Sequence, residues 1–200
     1  MKQVFLLAYA LIFFYAAEDV LAYNDISTHP KLTEKTALFF NGVFGPKLNS
    51  EEVLWLAEGA ENEDTPPRWI NHFYDPTTGL GWTSERMGTL SPQIVKMISS
   101  IALSPEDAVS SKDWAKDQNL QERYAVYQGN RTFQRAVFSY VNGDKKEGLK
   151  SLGHILHLIQ DMTVPAHTRQ DTHLQAAGDP GEPFENWVHN NADYSHLDNL

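Results

Sequence analysis

The chain of 200 residues contains no cysteine. That excludes disulfides, a thiolate zinc site and a cysteine nucleophile, so any zinc site has to use histidine and carboxylate. Basic residues are scarce as well: 16 Lys and Arg stand against 26 Asp and Glu, a formal charge of −10. Such an acidic surface argues against gripping duplex nucleic acid through basic patches. It says less about a recessed pocket, where bound dications would dominate the local field. No convincing strand pair, internal repeat or low-complexity tract is present. Long apolar runs are also missing: the run Val4 to Ala17 is too short for a confident membrane span. It follows Lys2 and precedes Val20-Leu21-Ala22, the pattern of a secretory signal with a small-residue cleavage site. Cleavage after Ala22 leaves Tyr23 as the mature N-terminus of a secreted or periplasmic protein. An uncleaved anchor is the alternative.

Apolar residues make up 42% of the chain, with five Trp, eight Tyr and ten Phe, enough to build the core of one domain over residues 23–200. The chain is organised around residues 149–173. Leu149, Leu152, Leu156, Ile159 and Met162 recur at three- and four-residue steps and predict an amphipathic helix. His157 and Asp161 stand one turn apart on one face, with His154 a turn earlier, and Pro165 ends the helix. His167 and His173 follow on the exit segment. An imidazole and a carboxylate one turn apart can share one metal ion, and the later histidines can hold a second nearby. A pair at this spacing is more often a solvated face or a satisfied buried pair; the added histidines shift the balance toward metal.

Upstream, His29-Pro30 opens a helix running to about Phe40, stopped near Gly42 and Gly45-Pro46. Asn49 or Ser50 caps the next, with Glu51 and Glu52 in its first turn and Val53, Leu54, Trp55, Leu56 and Ala57 on its buried face. Glu58, Glu61, Glu63 and Asp64 crowd its far end, where the helix dipole disfavours anions. Either that end frays into solvent or cations sit there. Residues 65–90 form a long loop carrying Asn71-His72-Phe73-Tyr74-Asp75-Pro76. Ser91-Pro92 and Ser104-Pro105 start helices over 92–102 and 105–117, a long helix spans 119–141 up to Asn142-Gly143, and Phe184 begins a last short helix. The fold class is all-α.

With these segments in order, the chain resembles the zinc-dependent phospholipase C and single-strand nuclease superfamily. LHLIQDMTVPAH is similar to that family's LHxxxDxxxPxH element, and NHFYDP resembles the phospholipase branch. GAENED at 59–64 resembles the segment carrying the aspartate ligand, and FENW at 184–187 the segment carrying the glutamate ligand. The resemblance implies three zinc ions in the cleft of a helical domain. Asp64, His72, His157 and Asp161 would hold one ion. Asp161 would bridge to a second, bound also by His29 and by the amino group and carbonyl of Tyr23. His167, His173 and Glu185 would hold the third. The Asp64-to-His72 gap is short for the family, which leaves Glu61 or Glu63 as alternatives to Asp64. His173 replaces a family histidine whose place is taken by Gly181. The chain stops soon after Glu185, as in a C-terminally shortened member.

Zinc lowers the pKa of bound water to about 7, and ions about 3.5–4 Å apart clamp attacking and leaving oxygens, which is the chemistry phosphodiester hydrolysis needs. Asp64, at the cluster edge, would orient or deprotonate the attacking water, and so is the candidate catalytic residue. His154 reads as a packed or hydrogen-bonding histidine that orients a ligand. Trp69, Phe73, Tyr74 and Trp82 would stack on a nucleobase or cage a choline headgroup, or simply anchor the loop. Three functions follow. The first is a phospholipase C-like phosphodiester hydrolase with transient membrane-surface contact. The second is a single-strand nuclease or nucleotidase on the same site. The third is a non-catalytic metal-binding or interaction module.

Overall fold

A computed structural model describes residues 28–65, 68–82, 109–122, 129–169 and 187 of the chain. Among the described residues there are seven α-helices, one 3-10 turn and no strand, so the molecule is all-α. The helices are α1 (Thr28–Phe44), α2 (Ser50–Asn62), α3 (Ser111–Trp114), α4 (Gln118–Glu122), α5 (Phe133–Val141), α6 (Lys145–Asp161) and α7 (Pro165–Arg169). The 3-10 turn is Arg68–Asn71. The signal segment, Tyr23, the 92–102 helix, His173 and Glu185 lie outside the described residues; of the last short helix only Trp187 is described, in helical conformation.

Local chemistry sets most boundaries. Asn49 caps α2 through a reciprocal box: its side chain accepts from Glu52 N at 3.0 Å, and the Glu52 carboxylate accepts from Asn49 N at 2.9 Å. Asp144 caps α6 by accepting from Glu147 N. α1 runs four residues past the expected Phe40, because Gly42 is tolerated within it. The stop comes at Gly45, whose φ of 77° is a left-handed conformation that glycine adopts without steric cost.

Two expected helices are shorter than their periodicity suggests. Ser110 is extended and caps α3, so the helix expected over 105–117 covers only Ser111–Trp114 among its described residues. The expected 119–141 helix is interrupted. Residues 129–132 are non-helical, and Thr132 caps α5 by accepting from Arg135 N. Phe133, Val137 and Tyr140 therefore line an apolar groove of about 700 Å³ between α1, α5 and α6 and stay about half exposed.

α6 lies at the centre, packed chiefly against α2 and α5, with α1 against α2. Ala37, Val53, Leu56 and Leu149 form the core, flanked by Leu48, Trp55, Leu152 and Leu156. Two members of the expected apolar faces point outward instead: Ile159 is 59% exposed and Leu54 63%. What α6 buries besides leucines is a polar stripe of His154, His157 and Asp161. α2 and α6 approach so closely that a Cβ on Gly59 would stand 2.0 Å from Lys150 O. One on Gly153 would stand 2.1 Å from Leu56 O. Paired glycines at this crossing bring the C-terminal end of α2 onto the polar stripe of α6. Among the described residues no helix is long and apolar enough to cross a membrane.

Candidate metal centre

Six of the predicted ligands meet at the C-terminal end of α6. His29 comes from the first turn of α1, and Asp64 from the turn after α2. His72 follows the 3-10 turn, His157 and Asp161 lie on α6, and His167 lies on α7. Pro165 opens α7 after a short turn, so His167 is carried on a helix rather than on an irregular exit segment. All except Asp64 are buried, and Asp64 is nearly so.

Asp161 is the focus. Its Oδ2 lies 3.0 Å from His72 Nδ1 and 3.3 Å from His157 Nε2. Its Oδ1 lies 3.3 Å from His29 Nε2 and 3.8 Å from His167 Nε2. The two oxygens thus face different sets of imidazoles, as a carboxylate shared between ions requires. Asp64 Oδ1 sits 3.4 Å from His157 Nε2 and 3.5 Å from His72 Nδ1. Two triads, His29–Asp64–His157 and His72–His157–Asp161, each place three donor atoms within 4.8 Å of one another. The rings of His29 and His157 stack with centroids 3.7 Å apart.

The backs of the rings are held. His29 Nδ1 meets Gln160 Oε1 at 2.8 Å, and the Gln160 amide in turn donates to Thr33 Oγ1 at 2.8 Å. His157 Nδ1 meets Ala60 O at 2.7 Å, and His167 Nδ1 meets His72 O at 3.2 Å. With Nδ1 donating outward, each Nε2 lone pair is turned toward the carboxylates, the arrangement of metal-binding histidines.

The electrostatics favour added positive charge. Burial opposes ionisation of Asp161, yet the facing imidazoles of His167, His157 and His72 hold it well below the usual carboxylate range. Asp64 is lowered in the same way, chiefly by His157 against its burial. Burial works against a proton on His72, but the carboxylates of Asp161 and Glu63 outweigh it and pull it up to about 9. His157 is raised well above its ordinary value by Asp64 and Asp161, again against burial. Burial and the His157 charge push His29 down to about 4, and burial lowers His167.

A divalent cation answers the same need as those protons. Both oxygens of Asp161, Asp64 Oδ2 and His157 Nε2 are buried without a hydrogen-bond partner. Such groups are costly unless they coordinate something. Nitrogen and carboxylate donors without sulfur suit zinc.

The choice among the crowded carboxylates is decided by packing. Glu61 is exposed, and Glu58 is exposed and pairs with Lys150. Glu63 is fully buried but points away from the cluster centre. Its Oε2 is 2.8 Å from both Nε and an Nη of Arg68, its Oε1 accepts from Trp114 Nε1 at 2.7 Å, and His154 Nδ1 closes on Oε2. So Asp64 is the carboxylate that reaches the metal candidates, and neither Glu61 nor Glu63 replaces it. Two of the four anions at the end of α2 are balanced by protein cations, Arg68 and Lys150. His154 is a packed partner of Glu63, as its sequence position suggests. Glu63, Arg68 and Gln160 support the cluster from behind; for Glu63 the crowded anions at the helix end are a signal in the sequence, but one that names no partner.

The loop before the site is built to hold His72. Asn71 Oδ1 accepts from Val109 N at 3.0 Å, Tyr74 N donates to His167 O at 3.0 Å, and Asp75 Oδ1 accepts from Thr77 N at 2.8 Å. Phe73 stacks on His167 with centroids 4.9 Å apart, and Trp82 is buried against Phe73. These two aromatics anchor the loop instead of offering a stacking face. No family model matches the chain, and neither a curated protein nor a solved structure matches it.

Proposed function

We propose that the chain is a zinc-dependent phosphodiester hydrolase of phospholipase C type, exported and processed after Ala22. One observation carries the reading: His29, Asp64, His72, His157, Asp161 and His167, spread over 139 positions of sequence, converge on one buried carboxylate with coordinating atoms inward. Asp64, His72, His157 and Asp161 would hold one ion. Asp161 and His29, with the terminus of Tyr23, would hold a second. His167, with His173 and Glu185, would hold a third. Bound zinc supplies an acidified water and a charge clamp for phosphoryl oxygens. The chain's own contribution is orientation and proton handling. Gln160, Ala60 O and His72 O fix three rings, and Asp64, the most exposed of the members among the described residues, would orient the attacking water or accept its proton.

The test is native mass spectrometry of the secreted protein, followed by turnover of a phosphorylcholine ester and of single-stranded DNA, with and without chelator. Two or three zinc ions and chelator-sensitive hydrolysis of the ester are expected. Preferential DNA cleavage would move the protein to the nuclease or nucleotidase reading of the same site. Fewer than two ions per processed chain would leave only a non-catalytic metal-binding or interaction module.

A further inference from the structure

Three of the four clustered histidines share one orientation: Nδ1 faces an outside acceptor and Nε2 faces the carboxylates. His72 is reversed. Its Nδ1 stands 3.0 Å from Asp161 Oδ2 and 3.5 Å from Asp64 Oδ1, while its Nε2 faces Glu63 Oε1 at 3.7 Å. We propose that Glu63 is a positioning residue that turns His72 around, so that this histidine binds its metal through Nδ1.

The reason is that Glu63 cannot move. Arg68 grips Oε2 with two nitrogens, Trp114 Nε1 holds Oε1 at 2.7 Å, and His154 closes the remaining side. Arg68 is itself tied to Gln121 Oε1 at 3.2 Å and Gly129 O at 3.1 Å. A fixed anion behind an imidazole favours the tautomer whose N–H faces it, leaving the lone pair on the opposite nitrogen. At 3.7 Å the contact is one of charge rather than a hydrogen bond. Its effect therefore depends on the Glu63 charge, not on the shape of the side chain.

This inference rests on the zinc reading, and the experiment separates the two. Mature protein carrying isotope-labelled histidine is loaded with zinc, and imidazole carbon and nitrogen shifts are recorded; His72→Gln assigns the His72 signals. The expected spectrum has His72 ligated through Nδ1 and His29, His157 and His167 through Nε2. Glu63→Gln, which keeps size and removes charge, should weaken zinc binding about 10–100-fold and give His72 signals of both tautomers. His72 bound through Nε2 in the unmutated protein overturns the proposal. So does a folded Glu63→Gln protein with unchanged affinity and spectrum. If that variant does not fold, the unmutated spectrum decides alone. A protein that takes up no zinc sinks the metal reading itself, and this proposal with it.

Discussion

Two buried polar clusters lie on either side of His72, and they differ in completeness. In the first, Glu63, Arg68, Trp114, Gln121 and His154 satisfy one another, and none of their buried side-chain nitrogens or oxygens lacks a partner. In the second, Asp64, Asp161, His72 and His157 crowd coordinating atoms together, and four of these atoms, both oxygens of Asp161, Asp64 Oδ2 and His157 Nε2, have no hydrogen bond. Both clusters have been taken out of water. A closed network rigidifies the fold; an open one is stable only with an added partner. The same helix end supplies both, Glu63 to the closed cluster and Asp64 to the open one, so adjacent carboxylates have opposite tasks.

On that contrast, chelation should have the largest effect. At free zinc a hundredfold above Kd each bound ion contributes about 2.7 kcal/mol. Removing two or three ions should lower Tm by roughly 10 °C or more in a chain of this length, read by calorimetry with and without chelator. Next comes Glu63→Ala, which strands the buried Arg68 charge and should cost about 3–5 kcal/mol in denaturant unfolding even in the chelated protein. Asp64→Ala in the same chelated protein should cost clearly less, while abolishing turnover in the loaded one. Equal losses for the two substitutions would erase the distinction between the clusters. Gly153→Ala should cost about 1–3 kcal/mol, because the added methyl meets backbone at Leu56 O, and it should weaken zinc by moving α2 and Asp64 off α6. The smallest effect belongs to Lys150→Ala: its pair with Glu58 lies at the surface, so stability should change by less than about 1 kcal/mol with zinc content unaltered.

Much of this was readable from residue order. The cap at Asn49 and the polar stripe of α6 depend on neighbours within a turn or two, where spacing maps onto geometry. The six converging candidate residues were legible in two ways: helix spacing singled out His157 and Asp161, and the order of motifs added His29, Asp64, His72 and His167. The expected 119–141 helix fails at a signal that is itself local. Residues 129–132 are Gly-Asn-Arg-Thr with no apolar member, Gly129 is left-handed at φ 72°, and Thr132 caps a new helix. Arg131 N donates to Gln121 Oε1 only ten positions back, while the longer ties, Arg68 to Gly129 O and Phe133 N to Ala115 O, come from outside the stretch. Ile159 and Leu54 were misplaced because a helical stripe says which residues share a face, not how wide a face the partners cover.

Composition and spacing alone determined an all-α chain without sulfur ligands, and a central helix carrying His157 and Asp161 one turn apart. Only the tertiary structure decided that Asp64 enters the cluster while Glu63 turns away to Arg68. It also decided that His72 faces inward by the opposite nitrogen from its neighbours. Those outcomes depend on which buried charge finds a partner from a distant segment, a competition settled by packing between α2, the Arg68–Asn71 turn and α6 rather than by any local preference.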